Sequence, residues 1–188
     1  MTSASQFPNL LEHNSEHLGK FRYAEPAEIE GRNRGYDLVF FDNDEYPVTS
    51  VITNGLRFQE LPSLLPEELV CTLRTGQEGF AHYLVDVTAG LVLQNRRGLE
   101  YDSVLVNDSP LIKETEIHGV MGYPSPFFGD EFDLVRDTDG QPVLQLITLL
   151  PITQKEAEFA GENSPDELWE IWQENRTDLL DINRGSAL

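Results

Sequence analysis

The feature that most constrains this chain is a short apolar segment, residues 143–150, that runs directly into a helix-start signal. Only Gln145 and Thr148 interrupt its apolar residues, so the segment does not alternate as a half-exposed strand does. A run this short and this apolar is typical of a strand that is covered on both faces. We therefore expect a central strand with structural layers above and below it.

Local signals predict what lies on either side of this strand. Pro151 cannot donate a hydrogen bond to a neighbouring strand, so we expect the strand to end there. Thr153 and Glu156 have the spacing of a capping box, in which each side chain bonds the backbone N–H of the other and a helix begins. Upstream, the Asp-Gly pair at 139–140 is typical of a hairpin turn and would pair the strand with residues 132–136.

The rest of the chain completes one domain. Apolar runs predict further strands at residues 36–41, 48–53, 69–74 and 103–106, while residues 20–35 and 107–131 are expected to be loops. Helical spacing and capping signals predict helices at residues 10–18 and 78–93 and a third that begins at Pro165. We predict a flexible N-terminus over residues 1–9 and a single α/β (α+β-like) domain over 10–188, in which helices pack on the faces of a mixed β-sheet as an α/β/α sandwich.

Residues 78–93 are expected to form the main amphipathic helix. One continuous apolar stripe recurs there at helical spacing and consists of Phe80, Tyr83, Leu84, Val87 and Leu91. On another face His82 and Asp86 lie four residues apart. They form either an acid–base pair or, as is far commoner, a surface contact.

Charge narrows the classes of partner. The chain carries 33 acidic and 13 basic residues, a formal net charge of -20. A field of this sign repels nucleic acid and anionic membranes and favours basic proteins, cations or simply solubility. The single cysteine, Cys71, rules out an intramolecular disulfide and a thiolate zinc cluster. With no signal peptide and no apolar run of membrane length, we expect a cytoplasmic protein that binds no cofactor.

Two groups of residues are candidates for binding a cation. His13 and His17 lie one helical turn apart, but no third metal ligand is near them in the sequence. Asp42, Asp44 and Glu45 form an acidic cluster that lacks the ligand spacing of an EF-hand, so a polar hairpin turn is favoured over a calcium site. We keep these three carboxylates as candidate contacts to a basic partner and predict no metal site.

Two further segments have alternative interpretations. Tyr123, Phe127 and Phe128 lie in the long segment predicted as a loop, where they either fold back to close the core or form a hydrophobic binding edge. Near the C-terminus, Asp181 and Arg184 form either a packing ion pair or part of a partner surface. Both groups stay candidate partner contacts.

Three short motifs then relate the chain to a known family. They are Val51-Ile52-Thr53-Asn54-Gly55-Leu56, Leu149-Leu150-Pro151-Ile152-Thr153 with Glu156, and Leu179-Leu180-Asp181-Ile182-Asn183-Arg184. In the order and spacing of these three motifs, the chain resembles the bacterial branch of the Suppressor of fused family. The resemblance covers roughly residue 10 to the C-terminus.

The resemblance implies a binding protein rather than an enzyme. Animal members of the family hold Gli-type transcription factors in the cytoplasm, and similar stand-alone bacterial domains are thought to be immunity proteins that neutralise toxins. The motif residues fall on turns and caps, so a structural role is expected for Thr53, Asn54, Gly55, Pro151, Thr153 and Glu156.

Three functions remain open at this point. The first is a non-enzymatic module that sequesters a basic protein, such as a toxin. The second is a metal-dependent hydrolase, although the chain has no nucleophile elbow, zinc-protease, P-loop or dinucleotide motif. The third is a scaffold that associates with itself through a strand edge or through the loop that contains Tyr123, Phe127 and Phe128. The sequence does not determine the oligomeric state.

Overall fold

The computed structural model describes residues 10–188, so the expected flexible segment 1–9 lies outside the described residues. The strands are β1 (Lys20–Glu25), β2 (Glu28–Ile29), β3 (Arg32–Asn33), β4 (Asp37–Asp42), β5 (Val48–Asn54), β6 (Glu67–Arg74), β7 (Val104–Val106), β8 (Ile117–Tyr123), β9 (Leu134–Arg136) and β10 (Pro142–Thr153). The helices are α1 (Leu10–Leu18), α2 (Glu78–Asn95), α3 (Gln154–Glu162) and α4 (Pro165–Glu174).

Within residues 10–188, eight strands form one mixed sheet in the order β1-β4-β5-β6-β10-β8-β7, with β9 also paired to β10. Strands β6 and β10 run parallel, and the other pairs of this sheet are antiparallel. Strands β2 and β3 form a separate small hairpin. The predicted mixed sheet and the predicted hairpin between β9 and β10 are both confirmed.

Strand β10 is the centre of the sheet and extends further than expected. Its first half pairs with β6 and β9, its second half pairs with β8, and Pro151 lies within the pairing, opposite Val120. The prediction that Pro151 ends the strand is therefore wrong. The Pro151 carbonyl points away from β8 and accepts a hydrogen bond from Arg184 Nη2 at 2.9 Å. Because the nitrogen and carbonyl of one strand residue point to the same edge, the missing N–H removes no bond to β8.

The sheet is covered on both faces. Leu38, Phe40, Val51 and Leu69 pack with α2 on one side, in a cluster that is almost fully buried. Their neighbours in the same strands pack with α1 on the other side, namely Val39, Phe41, Ile52 and Val70. Leu150 and Ile152 of β10 pack with α3 and α4, while Leu149, which precedes them, joins the α2 cluster. Because successive strand residues point to opposite faces, α2 lies opposite α1, α3 and α4, as the α/β/α sandwich requires.

Two segments predicted as loops contain strands. Segment 20–35 contains β1, an edge strand whose side chains are mostly exposed and therefore carry no apolar pattern. Segment 107–131 contains β8, which includes Gly119 and Gly122. A Cβ on Gly119 would lie 2.2 Å from the Leu105 carbonyl oxygen, so the glycine that suggested a loop is required for the pairing of β8 with β7.

Helix α2 buries a different face from the one its large side chains suggested. Of the predicted stripe only Leu84 is buried, while Phe80, Tyr83 and Leu91 are 39–42% exposed. The face against the sheet consists mainly of small residues, namely Ala81, Leu84, Val85, Thr88, Ala89 and Val92. Small side chains let the helix lie close to the sheet, which leaves the larger side chains on the outside.

The predicted helix starts are confirmed. The capping box forms with Thr153 as the cap of α3 and Glu156 as its partner. The Ser164 hydroxyl accepts a hydrogen bond from the Glu167 backbone at the start of α4. No helix in the described part of the chain is long and apolar enough to cross a membrane.

Candidate functional site

A cleft of about 720 Å³ lies between α1 and the segment that leads through β9 to the β9–β10 turn. Helix α1 buries Leu10, Asn14 and Leu18 at helical spacing, so its next face forms one wall. The cleft is lined by Glu12, His13, Glu16 and His17 of the helix and by Asp130, Glu131 and residues 134–138 opposite.

Negative charge dominates this acidic cleft. Arg136 is the only lysine or arginine among its lining residues, and its guanidinium donates to the Gly140 carbonyl at 2.9 Å. Five carboxylates line the same cleft, namely Glu12, Glu16, Asp130, Glu131 and Asp137. The first four are exposed, so they are free to meet a ligand. Carboxylates on two facing walls favour a cationic ligand.

The two histidines of the cleft pack on the core rather than forming an open ligand pair. His13 Nε2 donates to the Phe132 carbonyl at 2.9 Å, and the His13 ring lies 4.7 Å from that of His17 and 6.0 Å from that of Phe132. Burial lowers the pKa of His13, which favours its neutral imidazole. Across residues 10–188 no group of three or more His, Cys, Asp or Glu side chains is placed to hold a metal ion.

The acidic cluster at residues 42–45 forms the hairpin turn between β4 and β5. Asn43 Oδ1 accepts from the backbone N–H groups of Glu45 and Tyr46, and Asp42 accepts from the Thr49 hydroxyl. Asp44 and Glu45 are exposed. The turn adjoins the end of α1, since a Cβ on Gly19 would lie 2.5 Å from the Asp42 carbonyl oxygen.

The aromatic residues of the predicted loop are half-buried at the margins of the core. The Tyr123 hydroxyl donates to Asp166 at 3.0 Å, and its ring lies 5.8 Å from that of Trp169. Phe127 packs against the apolar cluster that α3 and α4 form with the sheet. Phe128 packs 5.1 Å from Phe132, the residue on which the cleft histidines rest.

The side chains of Asp181 and Arg184 do not pair with each other, although the Arg184 backbone N–H donates to the Asp181 carbonyl at 3.2 Å. Asp181 accepts hydrogen bonds from the Gln77 side chain at 2.7 Å and from the Asn183 backbone. Arg184 is only 9% exposed and pairs with Glu156, so most of its surface is inside the protein. Of the two, only Asp181 is positioned to meet a partner.

The motif around Gly55 is organised by a carboxylate that sequence reasoning missed. Glu68 is fully buried and accepts hydrogen bonds from the Thr53 hydroxyl and the Gly55 N–H while it pairs with Arg57. Asn54 Oδ1 accepts from the same guanidinium at 2.9 Å. Gly55 has a φ of 129°, a backbone conformation that residues with a side chain rarely adopt. Burial raises the pKa of Glu68, whereas Arg57 and these hydrogen bonds act in the opposite direction.

A second buried carboxylate organises the cap of α3. Glu156 accepts from both terminal guanidinium nitrogens of Arg184, Nη1 at 2.7 Å and Nη2 at 2.8 Å. It also accepts from Trp172 Nε1 at 3.0 Å and from the Thr153 N–H at 2.9 Å. Burial raises the pKa of Glu156, but Arg184 and the hydrogen bonds outweigh it, so that pKa lies below its usual value. The capping box thus also anchors the C-terminal segment.

The family described as Suppressor of fused protein (SUFU) matches residues 32–185, which is most of the chain. This chain belongs to the SUFU family. The family assignment confirms the resemblance inferred from the three motifs. No curated protein matches the sequence.

Solved structures agree on the SUFU fold. A protein described as a SUFU homolog from Neisseria gonorrhoeae FA 1090 superposes with a TM-score of 0.69 at 17% identity, covering 95% of this chain and 94% of that one. A chain of the Sufu-Fu complex gives a TM-score of 0.70 at 10% identity, covering 97% and 92%. Drosophila Suppressor of Fused gives 0.68 at 11% identity, and this chain spans 54% of it. At such identities these matches establish the shared fold.

Proposed function

We propose that this SUFU-family protein is a non-enzymatic binding module of the cytoplasm that holds a basic segment of a partner protein in its acidic cleft. The observation that carries the proposal is the pair of facing acidic walls, with five carboxylates against one arginine. Support also comes from the family and from the Sufu-Fu complex, a similar structure that is itself a protein complex.

The dimensions and lining of the cleft suit a peptide segment. Its volume is within the range of about 300–1,000 Å³ that is common for ligand sites. The half-buried Leu134 contributes apolar surface for the aliphatic stem of a lysine or arginine, while the carboxylates of both walls meet the charged ends of such side chains. The net charge of -20 adds long-range attraction that accelerates encounter with a basic protein.

Neighbouring residues extend the proposed surface. Asp42, Asp44 and Glu45 lie next to the C-terminal end of α1 and continue the negative charge beyond the cleft. Phe128 and its neighbours Phe127 and Tyr123 would contribute half-buried aromatic contacts near the other wall. Asp181 remains a proposed contact, whereas a structural role fits the buried Arg184 better.

An immunity-type inhibitor is the specific function that best fits this surface. A nuclease or another toxin that acts on an anionic substrate needs a basic surface, and an acidic cleft that covers this surface would block the substrate. The proposal predicts one basic protein bound in a defined ratio and released by salt. An affinity purification from the source lysate, washed at low and at high salt, identifies this partner.

A charge reversal within α1 tests the cleft directly. Glu12→Lys/Glu16→Lys changes one wall, and Glu170→Lys/Glu174→Lys is its matched control, because these exposed glutamates have the same spacing on α4 and the same effect on net charge. The probe is a fluorescent Lys/Arg-rich peptide, followed by the captured partner. We expect the α1 variant to weaken binding at least about tenfold and the α4 variant to change it little. Equal effects of the two variants would show that only net charge matters and would refute the cleft.

A further inference from the structure

The acidic cleft borders one edge of strand β9. Within residues 10–188 this strand pairs with β10 on one side only, and its three residues line the cleft. At the two ends of β9, the Asp133 carbonyl accepts from the Leu146 N–H and the Asp137 N–H donates to the Gln141 carbonyl. Because the backbone groups of successive strand residues point to opposite edges, those of residues 133, 135 and 137 all point towards β10.

The backbone groups of Leu134 and Arg136 point the other way, out of the sheet. No strand in the described part of the chain pairs with this outer edge of β9. The edge therefore offers two N–H donors and two carbonyl acceptors to a strand that is added from outside. An extended segment that lies in the cleft can bond these groups while its side chains reach the walls.

From this arrangement we infer that a basic segment of the partner binds as an added strand on the outer edge of β9, with a lysine or arginine at every second position, facing α1. The inference rests on the proposed function of the acidic cleft and gives its ligand a conformation and a sequence pattern. The carboxylates of both walls favour a basic segment. They disfavour the edge strand of a second copy, which would bring a further net charge of -20.

The orientation of Val135 shows which side chains of the added strand face α1. Val135 is buried in the cluster that α1 forms with the sheet. A side chain of the added strand that lies beside Val135 shares this face, as do those two positions before and after it. On this face Glu12 and Glu16 line the cleft from α1. They are four residues apart, about 6 Å along the helix, and two residues of a strand span about 6.6 Å, so basic residues at positions i and i+2 match their spacing.

The residues between the basic ones are expected to be uncharged. Leu134 and Arg136 point to the face of β9 opposite to that of Val135. On that face the added strand meets the half-buried Leu134 and the exposed Arg136. A lysine or arginine there would lie beside the guanidinium of Arg136, and like charges side by side weaken a strand pair. The cleft should therefore distinguish the order of basic and uncharged residues in peptides of equal charge.

Two fluorescent peptides of equal composition and charge test this order on the whole chain. The peptide Lys-Thr-Lys-Thr-Lys-Thr-Lys-Thr places all its lysines on one face of a strand, whereas Lys-Thr-Thr-Lys-Lys-Thr-Thr-Lys divides them between both faces. We expect the alternating peptide to bind at least about tenfold more tightly at the same salt concentration. Equal affinities that Glu12→Lys/Glu16→Lys lowers for both peptides would refute the added strand and leave the acidic cleft supported. Failure of both peptides to bind at low salt would refute the cleft and the added strand together.

Backbone substitutions test the pairing with β9. Only every second N–H of a strand points to a given neighbour, so N-methylation of one alternate set of residues in the alternating peptide should weaken binding at least about tenfold. N-methylation of the other set should change the affinity little. On the protein, Leu134→Pro removes an outward N–H and leaves the bonds to β10 in place, and Leu134→Ala is its matched control.

We expect Leu134→Pro to weaken binding of the alternating peptide at least about fivefold and Leu134→Ala to change it little. Urea unfolding of both variants shows that they are folded, and the methylated peptides decide the question without any change to the protein. Equal effects of the two methylated sets would overturn the inference. Equal effects of Leu134→Pro and Leu134→Ala in folded proteins would also overturn it, because the side chain and not the N–H would then be the contact.

Discussion

The ion pair between Arg184 and Glu156 allows a quantitative test of how this fold is held together. Both side chains are inside the protein, with 6% and 0% of their surface exposed. The substitution Arg184→Met keeps much of the side-chain volume and removes the guanidinium. Glu156 is then left as a buried carboxylate whose remaining partners are neutral donors, chiefly Thr153, Trp172 and Ala187.

Removal of one member of a buried ion pair costs about 3–5 kcal/mol, because the other charge stays buried without compensation. The neutral donors around Glu156 place the expected loss near the lower end of this range. For a protein of 188 residues, about 3–5 kcal/mol corresponds to a fall in Tm of roughly 8–13 °C. The pair also makes this loss dependent on pH. Since the pKa of Glu156 is lowered in the folded state, its stabilisation is present above a pH of about 4.5 and is lost as the pH falls through the folded value.

Urea unfolding followed by tryptophan fluorescence measures the effect, since Trp172 lies in this cluster. The control is Arg97→Met, which removes an arginine that is 74% exposed and 3.9 Å from its partner. That variant should lose less than about 0.5 kcal/mol. The double substitution Glu156→Gln/Arg184→Met removes both charges and should be more stable than Arg184→Met alone.

Two results would refute this reasoning. One is a loss for Arg184→Met as small as that for Arg97→Met, which would mean that the pair is not desolvated. The other is a double variant that is less stable than either single one, because an uncompensated charge could not then be the source of the loss. We also expect the gap between wild type and Arg184→Met to narrow below a pH of about 4.5, and urea titrations at pH 4 and pH 7 measure it.

Further predictions concern Glu67 and two glycines. Burial raises the pKa of Glu67 to about 7, so wild type should lose stability as the pH rises from about 4.5 through 7. Glu67→Gln lacks this loss, so its free energy of unfolding in urea should rise relative to that of wild type between pH 5 and pH 8. A difference that stays constant over this range would contradict the raised pKa of Glu67. Gly119→Ala should destabilise by about 1–3 kcal/mol, because its Cβ would meet the Leu105 carbonyl. Gly161→Ala, on an open face of α3, should be neutral or stabilising by up to about 1 kcal/mol, and equal losses at both glycines would exclude this steric cause.

The sequence predicted those parts of the fold that depend on residues close together in the chain. The β9–β10 hairpin and the α3 cap each need signals only a few positions apart, and both are confirmed. Strand β8 was missed because the close approach that requires Gly119 involves β7, which a local pattern does not contain. The buried face of α2 was missed because alanine and threonine carry little apolar signal although they fit closely against the sheet.

The site was harder to predict than the fold, because it joins distant parts of the chain. Glu12 and Glu16 were within the helix singled out for its histidines, whereas Asp130 and Glu131 lie at the end of a segment predicted as a loop. Nothing in their local patterns placed these two walls opposite each other. Glu156 was recognised as a cap, but its ion pair with Arg184 bridges 28 positions of sequence, beyond the reach of any periodicity.

The central position of β10 also has a consequence for the speed of folding. Its parallel neighbour β6 lies far back in the chain, as the pairing of Gln145 with Glu67 shows, and α2, β7, β8 and β9 all lie between these two strands in the sequence. Hairpins such as β4–β5 can form early, because their strands are nearly adjacent. The central pairing must close a long loop before burial of the core compensates for the lost chain entropy. We therefore expect folding in milliseconds to seconds rather than microseconds, with the β6–β10 contact formed after the local hairpins.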